Sequence, residues 1–480
     1  MGIKNIVKTT AVTIGAKTAL KLMSSISEEK WMRLTSPIVT RQSMPEAAIM
    51  LDLMLRRLHQ VFPTLSKSFK EKFVQNFIVK PFTIYGPRRR AYFAETGEHP
   101  PSLVVISPTM KCNLNCYGCY AGDYRKAEDL DIKTVNRVLN EAKDIGIFFF
   151  VISGGEPNVW PHLIEMLETH SDAMFQIYTN GTMIDDKRAD EFARLGNAIP
   201  CISVEGFEKE TDERRGRGAF RKISDAMDRL RERGVIFGFS ATATRENNEF
   251  IVSDEFIDYY VDKGIFLGWY FNYIPIGKEP NLELMPTPEQ RDYRRKRIIE
   301  IRDKKKVVVA DFWNDGILTD GCLAGGYEYL HIISNGDVEP CVFCHFAADN
   351  IKEKSLREVL QSDFFKAFKR RRPYNENLLL PCTIIDNPQI LREVVAEAGA
   401  HPTHPGSDSI ITTLAPEIDE YARTYGEVAN RAWREEYENR VYKGHMSFVD
   451  ALMSGALYRK RRKPLVRLRG RLREEVRVGA

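Results

Sequence analysis

Between residues 102 and 273 the chain alternates short apolar runs with amphipathic segments, and few folds accept that pattern. The apolar runs are Leu103–Ile106 and residues 147–152, 175–178, 199–204, 235–240 and 266–273. The segments between them carry a helical period. Residues 134–145, for example, place Val135, Val138, Leu139 and Ala142 on one face. Strands separated by helices call for parallel pairing through right-handed crossovers. The expected fold class is therefore α/β, an open (β/α)6 partial barrel of TIM-like form. In such sheets, sites collect at the C-terminal ends of the strands.

The flanks differ. Residues 1–98 look helical: Ser43 and Glu46 form a capping-box pattern, and Leu51, Met54, Leu55, Leu58, Val61 and Phe62 follow at helical spacing. Residues 99–310 would form the α/β core and 311–415 a smaller domain of short elements. Residues 416–480 would form a helical extension ending in a basic tail.

Charge and cysteine usage exclude several classes. The 480 residues include 43% hydrophobic side chains, enough for a large core, and the net charge of +4 is too mild to call for nucleic acid. The charge is uneven, however. Lys4, Lys8, Lys17 and Lys21 precede the first acidic residue, Glu28, and residues 459–473 hold nine Lys or Arg and no acid. Basic ends suit an anionic surface such as a membrane leaflet. The apolar-leaning stretch 3–23 either lies on such a surface or packs on the protein, and packing is the slightly favoured alternative. No run is long and apolar enough to span a bilayer. Seven of the eight cysteines fall in two groups, and a chain this long needs no disulfide scaffold. Grouped thiols of this kind read as metal ligands in a reducing compartment, so a cytoplasmic location is expected, with peripheral membrane contact as the variant.

The first group is Cys112, Cys116 and Cys119, in the order C-x3-C-x2-C directly after the first apolar run. Three thiolates on one loop can bind three irons of a [4Fe–4S] cube and leave the fourth open to another ligand. The alternative is a structural zinc site, which usually comes as paired C-x2-C units with a fourth ligand.

Cysteines so spaced, after the first strand of a β/α unit, resemble the radical S-adenosylmethionine (SAM) superfamily. The resemblance implies that the open iron chelates the amino and carboxylate groups of SAM. Electron transfer then splits SAM into methionine and a 5′-deoxyadenosyl radical that abstracts a substrate hydrogen. The catalytic cysteines would be Cys112, Cys116 and Cys119. Relatives often carry an aromatic residue just before the third cysteine; here that position is Gly118, with Tyr117 and Tyr120 beside it.

Further motifs fit the same family. Ser153-Gly154-Gly155-Glu156-Pro157 follows the second run and is similar to the family's GGEP element, which implies that Gly154, Gly155 and Glu156 receive the SAM amino group. The glycines would let backbone approach a ligand closely. Asn180 ends the third run, where the family places the ribose and methionine of SAM. Ser203-Val204-Glu205-Gly206 resembles an S-x-D/E-G element, with Ser203 facing SAM and Glu205 reaching the ribose or the substrate. Cys201, just upstream, reads as a small core residue. Arg214-Arg215-Gly216-Arg217-Gly218 resembles a segment from which an arginine would pair with the SAM carboxylate, Arg215 in preference to Arg217. Thr244 and Arg245 are weaker candidates for that role.

The second group is Cys322, Cys341, Cys344 and Cys382. A hairpin turning at Asn335-Gly336 would bring Cys322 beside Cys341 and Cys344. Four thiolates can saturate one [4Fe–4S] cluster, and the arrangement resembles the SPASM and twitch extensions of radical SAM enzymes. A four-thiolate zinc site is the alternative. His345 is an outside ligand candidate, whereas His401 and His404 read as surface histidines.

The expected protein is a radical SAM oxidoreductase or transferase with a second cluster. It would be reduced by a small electron donor such as flavodoxin or ferredoxin. A lipid or other apolar substrate is slightly favoured by the basic ends. Alternatives are a peptide-modifying maturase, an enzyme acting on a tetrapyrrole or small metabolite, and a non-catalytic iron–sulfur or zinc protein.

Overall fold

In the computed structural model, residues 26–39, 45–124 and 128–437 are described. One sheet of nine strands dominates. The strands are β1 (Leu103–Ile106), β2 (Phe149–Ile152), β3 (Met174–Thr179), β4 (Ala198–Val204), β5 (Gly238–Ala243), β6 (Leu267–Asn272), β7 (Val309–Asp311), β8 (His331–Ile332) and β9 (Val338–Glu339). Their spatial order is β7-β6-β5-β4-β3-β2-β1-β8-β9. Every neighbouring pair is parallel except β8 with β9.

The crossovers are helices, among them Ile132–Asp144, Asp186–Leu195, Ala219–Glu232 and Asp254–Lys263. Local sequence starts them. Asp131 accepts from the Thr134 amide, and Ser253 accepts from that of Phe256. The first of these helices buries Val135, Val138, Leu139 and Ala142, the face its periodicity predicts. On β6 burial alternates, with Gly268, Tyr270 and Asn272 against the helices and Leu267, Trp269 and Phe271 on the other face. The sheet is curled around that inner face. Tyr178 of β3 and Phe271 of β6 have ring centroids 5.7 Å apart, although two strands lie between them. In a flat sheet three strand spacings would separate them by roughly 14 Å.

The sheet is larger than the six runs suggest. β7 extends one edge, so a boundary at residue 310 falls inside a strand. On the other edge the Asn335-Gly336 hairpin forms as expected, but β8 also pairs in parallel with β1, Val105 opposite His331 and Ile106 opposite Ile332. Strands of two or three residues bury too few side chains to leave a period in the sequence. β5 is displaced toward the C-terminus from the 235–240 run; residues 235–237 are instead the buried approach to the strand.

The N-terminal helices Glu28–Val39, Pro45–Val61 and Lys67–Phe73 pack beneath the sheet. Trp31, Leu58, Phe62 and Phe69 join Met174, Ile199 and Ile236, which lie at or just before the starts of β3, β4 and β5. Arg57 donates to the Ile265 carbonyl at 2.7 Å, just before β6. The region thus covers the end of the sheet opposite the cysteines. The stretch 3–23, Ser43 and the tail 459–480 lie outside the described residues. Among the described residues no helix is long and apolar enough to cross a membrane.

Candidate iron–sulfur and SAM site

Cys112, Cys116 and Cys119 lie on the loop leaving β1, at the C-terminal edge of the sheet, and all three are partly exposed free thiols. Neighbouring loops clamp this one. The Gly155 amide donates to the Thr109 carbonyl at 3.1 Å and the Glu156 amide to that of Lys111 at 2.9 Å. A Cβ on Gly154 would lie 2.2 Å from the Thr109 carbonyl oxygen, and one on Gly155 2.3 Å from that of Lys111. These glycines were expected to admit a ligand; the space they leave is filled by the backbone leading into Cys112. After β6, the Lys278 amide donates to the Cys119 carbonyl at 3.2 Å.

Glu156 is fully buried, and its carboxylate ties three elements together. It accepts from the Asn158 amide (3.0 Å) and side chain (2.7 Å), the Thr179 hydroxyl (2.7 Å) and the Asn180 amide (2.7 Å). Asn180 in turn donates through Nδ2 to Asn113 Oδ1 at 2.8 Å and lies 3.8 Å from Cys112 Sγ. The end of β3 is thereby fastened to the first cysteine. Glu156, the side chain expected to meet the SAM ammonium, holds these protein contacts in this structure.

Glu205 is also occupied. Arg214 donates to its Oε2 at 2.7 Å and Arg215 to its Oε1 at 3.1 Å through Nε, and Glu205 is buried. Arg215, expected to face the SAM carboxylate, is engaged by this protein carboxylate, and Arg217 is exposed. Arg214, of the same string, is the arginine that faces the cysteine loop. Its Nε reaches the Tyr117 carbonyl at 3.4 Å and its guanidinium lies 5.9 Å from the centre of the Tyr117 ring. Proximity to Glu205, Cys116 and Cys119 pushes its pKa further up against the opposing effect of burial. Ser203 is half-buried on the inner face, Thr244 is buried and held by Asn247 at 3.1 Å, and Arg245 pairs outward with Glu283 at 2.7 Å.

Gly118 has a structural reason. Its φ is +59° and a Cβ there would meet the Tyr273 ring at 2.7 Å. Tyr273, arriving from the end of β6, takes the space that an aromatic side chain at this position would need. Tyr117 is left 38% exposed at the mouth of the loop.

In the second group Cys341, Cys344 and Cys382 are buried and Cys322 half-buried, all as free thiols. Burial raises the pKa of all four, and three are raised further by neighbouring thiols: Cys341 by Cys322, Cys344 by Cys341 and Cys382, and Cys382 by Cys322. Burial is the larger cause, pushing Cys341 up to about 12, as it pushes Cys112 up to about 11. Such thiols are poor free nucleophiles, whereas a bound metal deprotonates them outright. Among the described residues no three His, Cys, Asp or Glu side chains are placed to hold a single metal ion. The chemistry around the four thiols suits an iron–sulfur cluster. Amide N–H groups point at Cys341 and Cys382 sulfurs (3.4 and 3.3 Å), the Tyr329 hydroxyl donates to Cys341 Sγ at 2.9 Å, and the shielded Tyr374 hydroxyl has no partner within the protein.

His345 does not face the thiols. Its Nδ1 meets Nε2 of His404 at 2.9 Å and its Nε2 meets the Val342 carbonyl at 3.1 Å. His404, two residues after β11 (His401–Pro402), is buried rather than on the surface, because β11 pairs with β10 (Phe346–Ala347) and the chain beyond it turns inward; His401 remains exposed. Cys201 is a fully buried core residue, as expected.

Two family models match the chain. Residues 106–253 match the model of the radical SAM superfamily, and residues 322–383 match SPASM, an iron–sulfur cluster-binding domain. The first match spans Cys112 to Arg215 and the second includes all four later cysteines. An AdoMet-dependent heme synthase of Methanosarcina barkeri is 26% identical over 295 residues, covering 55% of this chain and 82% of that relative. A PqqA peptide cyclase of Ruegeria pomeroyi is 24% identical over 295 residues, covering 55% of this chain and 76% of the relative. The structure of Streptococcus suis SuiB bound to S-adenosylmethionine shares the fold, with a TM-score of 0.51 at 22% identity over 62% of this chain and 75% of that one.

Proposed function

This chain belongs to the radical SAM superfamily, in the group with a SPASM iron–sulfur domain, and from that premise we propose how its residues divide the work. It is an enzyme whose cofactors are SAM, a [4Fe–4S] cluster that binds it, and further iron–sulfur chemistry in the SPASM domain. In our assignment Cys112, Cys116 and Cys119 hold the SAM-binding cluster, and Cys322, Cys341, Cys344 and Cys382 hold one auxiliary cluster. When bound, the first cluster supplies the electron that splits SAM, and the resulting radical removes a hydrogen atom from substrate.

The chain's own groups position and shield. Glu156 fixes Asn180, and Asn180 aims an N–H at Cys112. The Gly154-Gly155 loop holds the cysteine loop against the sheet. Tyr117 and Arg214 stand at the mouth, where a ring and a guanidinium can meet the adenine and carboxylate of SAM. Arg215 holds Glu205 in place for Arg214. The curled inner face, bearing Tyr178, Ser203, Thr242, Trp269 and Phe271, excludes water around the reacting centre.

The inner face carries the substrate proposal. These half-buried residues are aromatic rings and hydroxyls, with no Lys or Arg among them. A substrate seated there is uncharged at its reacting end, which suits a peptide side chain. The relatives named peptide cyclase and maturation protein support a peptide. A tetrapyrrole is the second candidate, supported by the relatives named heme synthase. Preference for a lipid rests on the basic ends, which lie outside the described residues, and none of these relatives' names carries it.

The test uses reconstituted enzyme and dithionite. Wild type should release 5′-deoxyadenosine, and the Cys112→Ala/Cys116→Ala/Cys119→Ala variant should release none; continued release would refute the first assignment. SAM cleavage should then rise with a pool of unstructured peptides more than with an iron porphyrin or anionic vesicles. A rise with the porphyrin alone would overturn the peptide proposal.

A further inference from the structure

Two tyrosine hydroxyls converge on the second thiol group. Tyr329 reaches Cys341 Sγ at 2.9 Å, from the buried approach to β8. Tyr374 follows the helix Asp363–Arg370, and its hydroxyl lies 3.3 Å from the position of a Cβ on Gly325, three residues after Cys322. Its hydroxyl is shielded from solvent and unpartnered, and it lies within electrostatic reach of Cys322, Cys344 and Cys382. A buried hydroxyl without a hydrogen bond is costly, on the order of 1–3 kcal/mol, and native structures rarely leave one unexplained. The Tyr329 partner is already a sulfur. The remaining acceptor chemistry that four thiolates would bring to this place is more sulfur.

The geometry points to Tyr329 and Tyr374 as hydrogen-bond donors to the sulfurs of the auxiliary cluster, positioning residues that raise its reduction potential. This rests on the assignment of Cys322, Cys341, Cys344 and Cys382 as that cluster's ligands. The physical cause is simple. Reduction adds negative charge, which spreads over the sulfurs. A donated O–H stabilises the reduced state more than the oxidised one. Most of the other donors here are backbone amides, which sequence change cannot remove. The two phenols are therefore the adjustable part of the site. A raised potential suits a cluster that accepts the electron a substrate radical gives up as it is oxidised, rather than one that delivers an electron to SAM.

The test is a redox titration of the full chain followed by electron paramagnetic resonance. The Cys112→Ala/Cys116→Ala/Cys119→Ala background leaves only the auxiliary signal. Tyr329→Phe and Tyr374→Phe should each keep the iron and sulfide content of the background and move the midpoint to more negative potential. A tenfold weaker reduced state corresponds to a shift of about 59 mV for one electron. Exchangeable-proton couplings seen after transfer to heavy water should weaken in the same variants. Equal loading with an unmoved midpoint and unchanged couplings overturns the inference while leaving the ligand assignment intact. Loss of the cluster from both Phe variants also overturns it, because the rings would then be packing residues. A wild-type chain with iron and sulfide for one cluster only overturns the assignment and the inference together.

Discussion

The ring of Tyr120 lies 5.8 Å from that of Phe343, centroid to centroid. Tyr120 follows Cys119 in sequence, and Phe343 lies between Cys341 and Cys344. The two cysteine groups, more than 200 residues apart in the chain, are thus separated by a pair of touching aromatic side chains. The Tyr120 hydroxyl is itself anchored to Ser153 at 2.9 Å, on the loop that clamps the first group. Tyr120→Phe should lose that hydrogen bond and about 1 kcal/mol of stability, with both clusters retained. Tyr120→Leu should also keep the iron, but slow electron exchange between the clusters, followed by rapid-freeze electron paramagnetic resonance. Unchanged exchange in the Leu variant would exclude a role for the ring in coupling the two.

Gly155→Ala should damage the first site selectively. The new Cβ would sit 2.3 Å from the Lys111 carbonyl oxygen and 2.5 Å from that of Met110. Overpacking of this kind costs about 1–3 kcal/mol, and the segment that must give way is the approach to Cys112. Iron at the first cluster should fall while the auxiliary cluster stays. Gly426→Ala is the control. Gly426 lies inside the helix Ala415–Glu436 with open space at its Cβ position, so this variant should gain about 0.5–1 kcal/mol. Urea melts and iron analysis of the two variants check both outcomes.

Asp386→Asn should loosen the auxiliary site through one buried pair. Arg291 and Asp386 are both fully buried and meet at 2.6 Å, and the Arg291 guanidinium stacks 3.7 Å over Tyr425. Asp386 also accepts from the Cys382 amide at 3.0 Å. Removing one partner of such a pair costs about 3–5 kcal/mol, since the other charge stays buried and unpaired. The variant should unfold at lower urea and hold less auxiliary iron. Arg291→Lys should not substitute, because a lysine lacks the planar face and the two-pronged donor set.

His170 should make the fold sensitive to mild acid. It is buried, Nδ1 accepts from Lys143 at 3.0 Å and Nε2 faces Asn136 Oδ1 at 2.9 Å. Burial, and then the Lys143 charge, lower its pKa from 6.5 to about 4. The unfolded chain therefore binds a proton that the folded chain refuses as pH falls below 6.5. Stability is untouched above that value and should drop by about 3 kcal/mol by pH 4 from this group alone. Urea unfolding of wild type against His170→Asn between pH 7 and pH 4 measures it. An equal slope in both proteins would assign the acid sensitivity elsewhere.

The parallel sheet was legible because its cause is local. Apolar runs of strand length and helices of regular period are properties of neighbouring residues, as in Leu103–Ile106 and in the face made by Val135, Val138, Leu139 and Ala142. The two thiol groups were legible for the same reason, since C-x3-C-x2-C is a spacing on one loop. The contact of Arg214 with Tyr117 was not legible. Arg214 stands in the same arginine string as Arg215, but only the turn of the helix Glu208–Arg215 decides which of the two faces Tyr117. β7 was missed because a strand of three residues carries no period, and the hairpin strand β8 was expected but its parallel pairing with β1 was not, since that partner lies far off in the chain.

The sequence by itself therefore determined the strand–helix alternation and the two groups of thiols, because periodicity and spacing suffice for those, while SAM as the cofactor came from the family that the motifs resemble. Only the tertiary structure decided that Glu156 braces Asn180, that Tyr273 fills the space beside Gly118, that His404 is buried, and that Tyr329 reaches Cys341 while the Tyr374 hydroxyl is buried without a partner. Those features depend on residues that are not neighbours in the chain. Their positions are set by how the sheet curls and by which edge β8 joins, and no run of neighbouring residues encodes either.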